Sequence, residues 1–389
     1  MARSILIILL FTHLLIGITS TCTLSYIFSN ENVIYVDSSN VNDPLENGSR
    51  EHPFDKIQEG INAAPNGATV KVLSGIYVEN IVVEKSINLI GENAEDTIIN
   101  ANYNGHGIIV GAGSIVISGF TIMNAYNAKG YMPPNRAHAI DIRHGNVKIE
   151  RCVIRNSLVG IYLGGASNNV ISNISIQGAW IGVWMEFGSC KNTIENCHVY
   201  GCDWGIHIKE SSNDNTIKNC ILHDNHKNSI NIVLSSSRNI IENCVLYGET
   251  DTAIDISWYS DNNVVENCII RDINGEKAYD GIYLYACVNN IIRNCKIYNI
   301  KQFGILIGEL ENGVICTYGN IIQNCTIHNC FRGINFWNGL NNVITQCIFY
   351  NNKHQAINIE GCGMGDGLMC GRLNGAFLLK VRYLNVVIT

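Results

Sequence analysis

The stretch NNVVENCII (Asn262–Ile270), followed after a loop by GIYL (Gly281–Leu284), decides the fold because its pattern recurs along the chain. Further cysteines take the position of Cys268, with Ile174 in the one gap, at intervals of 22 to 30 residues: Cys152, Cys197, Cys220, Cys244, Cys295, Cys325 and Cys347. An interval of this size indicates one supersecondary unit per repeat, so the chain is an array of stacked units.

Apolar residues alternate within each repeat, which is the period of a β-strand and not of a helix. Gly or Asn separates the runs, and no run reaches the length that a crossover helix needs. A leucine-rich repeat has a similar period, but it requires Leu at positions where this chain supplies Ile, Val, Cys and Asn. The pattern therefore predicts an all-β fold, a single-stranded parallel β-helix.

The length of 389 residues exceeds the usual size of a domain with one core. A solenoid escapes that limit because each repeat contacts only its neighbours, so one elongated domain over residues 33–360 is predicted. The net charge of −7 and the pI near 5.9 provide no basic surface, and a nucleic-acid partner is not expected. The sequence leaves the oligomeric state open.

Residues 1–25 combine one positive side chain, a largely apolar stretch from Ile5 to Ile18 and small polar residues. This order predicts a secretory signal peptide, and with it an extracellular, cell-surface or periplasmic location. An uncleaved membrane anchor and a lipoprotein site at Cys22 are alternatives, and no other contact with a membrane is predicted. Residues 361–389 lack the repeat, which indicates an atypical C-terminal cap or a truncated end.

Residues 54–64 place apolar side chains at positions 54, 57, 61 and 64, the spacing of an amphipathic helix. The open end of a β-helix core exposes apolar side chains and needs a cover. The helix is therefore predicted to cap the first coil, and irregular coils follow it over residues 69–124.

The run Asp37–Ala64 is followed by Gly75–Glu79 and Ile87–Gly91, and then by repeated Asn-Asn-x-Ile-x-Asn-Cys and Gly-Ile-Tyr-Leu units. This order resembles the right-handed parallel β-helix proteins of the pectate-lyase-like superfamily, and more narrowly its NosD-like and carbohydrate-binding/sugar-hydrolase group. The resemblance covers about residues 33–360. It implies the right-handed fold, and a substrate groove walled by the Gly-Ile strand and the turn before it. It does not imply one activity, because that superfamily holds lyases, hydrolases, epimerases and adhesins.

If the Ile or Val after each Gly points into the core, the residue that follows points outward. Aromatic faces beside polar groups suit sugar rings, although such residues are also ordinary choices on a strand surface. The favoured prediction is binding of a polysaccharide or cell-surface glycan. The predicted substrate-binding residues are Asp141, Tyr162, Trp184, Asn231, Trp258, Asp280, Tyr283 and Tyr285.

Catalysis on the same face is the first alternative. Carboxylates on the strands lie too far apart for the pair that glycoside hydrolysis needs, about 5.5 Å or roughly 6.5 to 9.5 Å, although Asp272 or Asp280 could approach Asp255 from a loop. A uronate lyase or C5-epimerase needs a base and a group that neutralises the uronate carboxylate. The candidates for these roles are Arg143, Glu186, His207, Lys209 and Asp255.

The second alternative is a copper-binding module, which the NosD-like resemblance implies. His207, His223 and His226 fall on neighbouring coils and are the candidate ligands. Surface histidines in turns fit the same positions, and no His-rich or Met-rich tract supports a metal site. No cofactor is certain from the sequence, and Ca or Cu are the ions it leaves open.

Sixteen cysteines in a secreted chain would normally indicate disulfides. The repeated cysteines, however, occupy inward positions, where parallel side chains one strand spacing apart do not favour disulfide geometry, so buried thiols are predicted. Disulfides are expected only among the others, Cys190, Cys202, Cys287, Cys316, Cys330, Cys362 and Cys370. The Asn before most repeated cysteines is predicted to form a stacked amide ladder of Asn196, Asn219, Asn243, Asn267, Asn294 and Asn324.

Overall fold

The computed structural model describes residues 32–127, 136–275, 280–308, 317–337, 339–360 and 380–383. The predicted signal segment lies outside these residues, and so does the C-terminal part after residue 360 except for the strand Lys380–Tyr383, which pairs in parallel with Val343–Tyr350. No helix among the described residues is long and apolar enough to cross a membrane.

Short strands stack in three columns, and each turn of the chain adds one strand to each column. The first column contains Val33–Val36, Thr69–Val72, Asn88–Gly91, Ile115–Ser118, Val147–Glu150, Val170–Ser172, Thr193–Glu195, Thr216–Lys218, Ile240–Glu242, Val264–Glu266, Ile291–Arg293 and Ile321–Gln323. The second contains Gly75–Tyr77, Thr97–Asn100, Thr121–Met123, Val153–Arg155, Ser175–Gln177, His198–Tyr200, Ile221–His223, Val245–Tyr247, Ile269–Ile273, Lys296–Ile300 and Thr326–His328. The long strand Val343–Tyr350 continues both.

The third column forms a separate sheet, and its outer surface is called the site face below. Its strands are Ile81–Val83, Ile108–Val110, His138–Ile142, Val159–Gly164, Ile181–Glu186, Trp204–Ile208, Ile230–Ile232, Ile254–Ser257, Asp280–Tyr285, Phe303–Gly308, Arg332–Trp337 and Ile357–Glu360. A further two-stranded sheet pairs Thr317–Tyr318 with Gly339–Leu340. All of these strand pairings are parallel, and the fold is the predicted right-handed parallel β-helix, with about eleven turns.

The core lies inside the three columns and is built from side chains in register. Ile161 stands opposite Val183, Val183 opposite Ile206, and the file continues through Ile230 and Ile254, all fully buried. Because successive residues of a strand point to opposite faces, the alternation in the sequence fixes which face is buried. Burying each such side chain contributes about 1.5 to 3 kcal/mol relative to exposure.

The repeated cysteines are buried, as predicted, at the corner between the first and second columns. The exposed fraction of each, from Cys152 to Cys347, is 3% or less, and each described cysteine is a free thiol. The Sγ of Cys197 lies 3.3 Å from the carbonyl oxygen of Glu195 and 3.7 Å from that of Ile171 on the preceding coil. Of the cysteines outside this file, Cys202, Cys287 and Cys330 are buried thiols and Cys190 is half-buried, whereas Cys316, Cys362 and Cys370 lie outside the described residues.

The predicted asparagine ladder is confirmed in part, since Asn294 donates to Asn267 at 3.2 Å and Asn324 donates to Asn294 at 2.9 Å, but the continuous ladder lies on other asparagines. The predicted residues are exposed and adopt the left-handed conformation, with φ of 54° at Asn196 and at Asn243, which lets the chain turn before each Cys. The buried ladder comes from another position of the repeat. Its members are Asn169, Asn192, Asn215, Asn239, Asn263, Asn290, Asn320 and Asn342.

Each backbone N–H of the buried ladder donates to the side-chain oxygen of the next member, as from Asn215 to Asn239 at 2.9 Å. The side-chain nitrogen also donates to that oxygen, at 3.0 Å in the same pair, and to a backbone carbonyl such as that of Ser189 at 2.9 Å. A buried turn has backbone groups that no strand partner satisfies, and the amides satisfy them here.

The helix near the N-terminus spans Ile57–Ala63 and is shorter than the predicted 54–64. Phe54 instead forms a β-bridge with Val36. The helix begins at Ile57 because the carboxylate of Glu79 accepts hydrogen bonds from the N–H groups of Ile57 at 2.8 Å and Gln58 at 3.0 Å. It packs against the first strands of the first and third columns, and its role as a cap stays a prediction.

Candidate functional site

The strand register places the predicted outward residues in one file along the site face. Asp141, Tyr162 and Trp184 stand opposite one another on successive coils, and the file continues through His207, Asn231, Asp255 and Tyr283. Neighbouring coils in such a sheet are about 4.8 Å apart, so adjacent members of the file are in contact. The side chains therefore meet as the alternation in the sequence predicts.

Trp184 lies on the site face but is only 2% exposed. The guanidinium of Arg136 lies 4.5 Å from its ring centroid and the ammonium of Lys209 lies 5.1 Å from it. The rings of Tyr162 and Trp180 meet it edge-on at 5.6 and 5.9 Å. A sugar has no access to this ring, so the position predicted for the centre of the groove is a packed support.

The solvent-facing aromatic surface lies one step away, in the turns that lead into the third column. Trp180 and Trp204 precede or begin two successive strands, and their centroids are 5.6 Å apart. A groove with a volume of about 490 Å³ opens beside them, lined by Tyr126, Leu158, Gly178, Ala179, Trp180, Gly201, Asp203 and His226. Lys227 places its ammonium 3.6 Å from the Trp204 ring centroid. This aromatic groove is walled by the turns that the resemblance indicates.

An ion pair lies on the face beside the groove. Lys209 contacts Glu186 at 2.9 Å and Glu210 at 3.0 Å, and the Tyr162 hydroxyl donates to Glu186 at 2.8 Å. Burial lowers the pKa of Lys209, but the hydrogen bonds to the two carboxylates outweigh it and raise the pKa above its ordinary value. Burial and the neighbouring Glu186 raise the pKa of Tyr162. Glu186 and Lys209, which the sequence analysis named as candidates to act on a substrate, are thus paired with each other.

His207 is largely desolvated, which lowers its pKa to about 4, and the charge of Lys209 acts in the same direction. Its Nδ1 is buried without a hydrogen-bond partner among the described residues, as is the indole nitrogen of Trp184. His207 is therefore neutral at physiological pH, with a pKa far below that of an efficient general base at pH 7.

Asp255 lies in the middle of the file. Its pKa is shifted upward, whereas that of His207 is shifted downward. Burial raises its pKa to about 7. Oδ2 accepts a hydrogen bond from Asn231 at 3.0 Å, while Oδ1 is buried without a partner among the described residues. Burial also raises the pKa of Asp280 on the next coil, and the carboxylates of Asp251 and Asp255 raise it further. Asp255 is therefore poised to carry a proton near neutral pH.

Asp272, the other loop carboxylate predicted to approach Asp255, is on a different face. It pairs with Arg271 and accepts a hydrogen bond from Asn299 at 2.7 Å in the second column. Near Asp255, the rings of Tyr283 and Tyr285 stack with centroids 6.0 Å apart, and Trp258 meets Tyr285 edge-on at 5.1 Å. Trp258 is 43% exposed, so this end of the face also offers an accessible ring.

The three predicted copper ligands are not brought together. His207 lies on the site face, whereas His223 lies in the second column with its Nε2 2.7 Å from that of His198 and its Nδ1 2.7 Å from Asp224. His226 lies at the aromatic groove, 3.5 Å from Asp203. These three residues do not form one copper site, and copper binding by the protein stays a prediction.

A cluster that the sequence analysis missed lies at the N-terminal end of the site face. His106 and His138 approach Asp141, with Nδ1 to Oδ2 distances of 3.6 and 3.5 Å, and Arg143 contacts Asp141 at 2.9 Å. Burial opposes ionisation of Asp141, but the hydrogen bonds from Arg143 and the nearby imidazoles of His138 and His106 outweigh it and lower its pKa to about 2. Burial and the nearby His138 lower the pKa of His106 to about 4.

A signal for this cluster was present in the sequence. His106 and His138 each precede an inward Ile by two residues, and those isoleucines, Ile108 and Ile140, are partners in the sheet. Matching the irregular coils to one another would have placed the two histidines side by side. The long insertion between residues 123 and 138 hid the match.

The fold has many solved relatives at low sequence identity. The catalytic domain of a GH87 alpha-1,3-glucanase in complex with tetrasaccharides matches with a TM-score of 0.67 at 15% identity, over 80% of this chain and 67% of that one. The A-module of the Azotobacter vinelandii mannuronan C-5 epimerase AlgE4 matches with a TM-score of 0.65 at 14% identity, over 85% and 100%. XylC in complex with xylose matches with a TM-score of 0.64 at 10% identity, over 86% of each chain.

These identities show a shared fold and no more, and the chain spans about two thirds of the glucanase domain. No curated protein matches the sequence significantly. The family described as "Right handed beta helix region" matches residues 74–246, 205–315 and 278–366. Since these overlapping matches cover about three quarters of a chain whose strands form parallel columns, the protein belongs to the right-handed beta helix family.

Proposed function

We propose that this protein binds a polysaccharide along the site face, seated in the aromatic groove beside Trp180 and Trp204. The observation that carries the proposal is the groove itself, where partly exposed indole and phenol rings stand next to Asp203 and His226. Sugar rings present apolar C–H faces to aromatic rings and hydroxyl rims to polar groups, which is the pairing that this groove offers.

The position of the groove supports the same reading. Trp180, which lines the groove, packs edge-on against the buried Trp184 with centroids 5.9 Å apart, so its ring rests on a packed support and keeps its orientation without a ligand. A preorganised site loses little conformational entropy on binding. Two of the solved relatives contain a bound oligosaccharide or sugar, the glucanase with tetrasaccharides and XylC with xylose.

A glycan array followed by titration of the best ligand tests the proposal. Trp180→Ala and Trp204→Ala should each weaken binding about tenfold or more, since an anchoring aromatic ring contributes about 1 to 2 kcal/mol or more. Tyr298→Ala is the matched control, because Tyr298 is a partly buried ring that stacks on His328 in the second column, away from the site face. If no glycan binds, or if the three variants bind alike, the proposal is wrong.

A second function, chemistry on the bound polymer, is favoured by Asp255. A carboxyl with a pKa of about 7 and an unpartnered oxygen can donate a proton to a leaving oxygen or a hydrogen bond to a uronate carboxylate. Such an activity should fall as the pH rises through 7, because the protonated form is the active one. New reducing ends, or absorbance at 235 nm from unsaturated uronate, should appear with the wild type and with Asp272→Asn but not with Asp255→Asn.

A further inference from the structure

We propose that His106, His138 and Asp141 form a binding site for a divalent transition-metal ion of the zinc type, at the N-terminal end of the site face. Each residue offers one ligand atom, and these atoms all lie within 4.8 Å of one another. The site differs from the predicted copper ligands in every residue, and it does not depend on whether a glycan binds.

Two of the three separations between the ligand atoms are close to those around one ion. Zinc binds His nitrogen and carboxylate oxygen at about 2.0 to 2.2 Å, so two ligands of a tetrahedral ion are roughly 3.3 to 3.5 Å apart. The carboxylate oxygen Oδ2 of Asp141 lies 3.5 Å from the Nδ1 of His138 and 3.6 Å from that of His106. These distances are long for hydrogen bonds and close to the edges of a coordination sphere.

The second observation is that the cluster contains buried polar atoms without partners. His138 is 6% exposed, and neither of its ring nitrogens has a hydrogen-bond partner among the described residues. The Oδ1 of Asp141, which is 3% exposed, has none either. A buried polar atom without a partner is unfavourable, and a bound ion would give the Nδ1 of His138 a partner beside the Asp141 carboxylate.

The surroundings hold the ligands in place. Tyr162 stacks on the His138 ring with centroids 4.3 Å apart. The ring of His106 meets the His138 ring edge-on, with centroids 4.8 Å apart. Arg143 donates to Oδ2 of Asp141 at 2.9 and 3.2 Å, which orients the carboxylate whose Oδ2 faces both imidazoles. A ligating carboxylate is commonly held by such an outer hydrogen bond, which orients it.

The ligand types select the class of metal. Two imidazoles and one carboxylate suit zinc and its first-row neighbours, whereas calcium and magnesium prefer oxygen ligands alone. The Nδ1 of His106 accepts a hydrogen bond of 3.3 Å from the backbone N–H of His138, so this nitrogen lacks a proton, and a bound ion would replace this long hydrogen bond. Three protein ligands leave a fourth position for water or a ligand oxygen.

The test is a titration of the chelator-stripped full chain with Zn²⁺, and with Co²⁺ to record the absorption bands of the bound ion. Accessible thiols are alkylated beforehand, because Cys190 is half-buried and other cysteines lie outside the described residues. The variants are His138→Ala, Asp141→Asn and His106→Gln. His144→Ala is the matched control, since His144 is an exposed histidine on the same coil.

We expect the wild type and His144→Ala to bind one equivalent of Zn²⁺ with a Kd below about 1 µM, and each ligand variant to bind at least about 100-fold more weakly. Thermal melting without metal shows which variants are folded, and His106→Gln keeps the test decisive because its side chain is the most exposed of the three. The proposal is overturned if the wild type binds no ion tighter than about 10 µM, or if the folded ligand variants bind as the wild type does.

Discussion

Replacing Asn239 by Ala removes one rung of the buried asparagine ladder. Its Oδ1 accepts from the backbone N–H and the side-chain nitrogen of Asn215 at 2.9 and 3.0 Å. Its Nδ2 donates to the carbonyl of Ser212 and to Oδ1 of Asn263, both at 3.1 Å. Four bonds at about 1 kcal/mol each, and a buried N–H of Asn215 left without its acceptor at about 1 to 3 kcal/mol, give a loss of roughly 5 to 7 kcal/mol.

Hydrogen exchange with mass spectrometry is the suitable assay, because each coil of a solenoid is stabilised by its neighbours and unfolding of the whole chain need not be two-state. Protection should fall in peptides that span residues 212–263 and change little in distant coils. Asn243→Gly is the matched control, since Asn243 is exposed, has a φ of 54° and can be replaced by Gly without strain. Equal effects of the two substitutions, or a loss below about 1 kcal/mol for Asn239→Ala, would refute the reasoning.

Three further predictions follow from buried groups. Alkylation of the native protein should label few thiols, Cys190 first among those described, and alkylation after unfolding should label most of the sixteen, as counted by mass spectrometry. Cys244→Asp should lower the free energy of unfolding by several kcal/mol, measured by urea denaturation, because Cys244 is fully buried and an unpaired charge would replace it. Burial raises the pKa of Glu249 from 4.5 to about 8, so the folded state retains a proton that the unfolded state has lost, and stability falls as the pH rises from about 4.5 to about 8. Glu249→Gln should therefore melt at a higher temperature than the wild type at pH 8.5 and at nearly the same temperature at pH 4, and an equal difference at both pH values would contradict this assignment.

The periodic part of the structure could be predicted from the sequence. The alternation around Ile161, Val183 and Ile206 determines which side chains are inside, and a shift of one residue would expose all of them. The continuous ladder was assigned to the Asn before most of the repeated cysteines, although the repeat has a second Asn position before most strands of the first column. Residue type alone does not distinguish the two positions. They differ in backbone conformation: the Asn before a repeated Cys is itself left-handed and exposed, whereas each buried Asn directly follows a left-handed residue such as Asp214 or Arg238.

The site was predicted less well, because contacts between loops and long side chains are not periodic. The alternation correctly placed Trp184 on the outer face, but the side chains of Arg136 and Lys209 cover its ring. The aromatic groove comes from Trp180 and Tyr126, in turns where no period applies. The histidine cluster lies where a long insertion breaks the repeat, so the register that joins His106 to His138 could be recognised only after the coils had been aligned.

The buried thiols make the folded protein insensitive to oxidation. The folding process, in contrast, depends on the oxidation state of the same thiols. Once the coils have stacked, the thiols of the file are buried and out of reach of a disulfide, and burial also raises the pKa of the Cys152 thiol to about 12. Before stacking, the same thiols are exposed at intervals of 22 to 30 residues, or 45 between Cys152 and Cys197, in a topology whose distant strand pairings form slowly. In an oxidising compartment, the addition of coils then competes with the formation of disulfides between thiols that the native fold keeps free. A reductant should accordingly raise the yield of refolding while leaving the melting temperature of the finished solenoid unchanged.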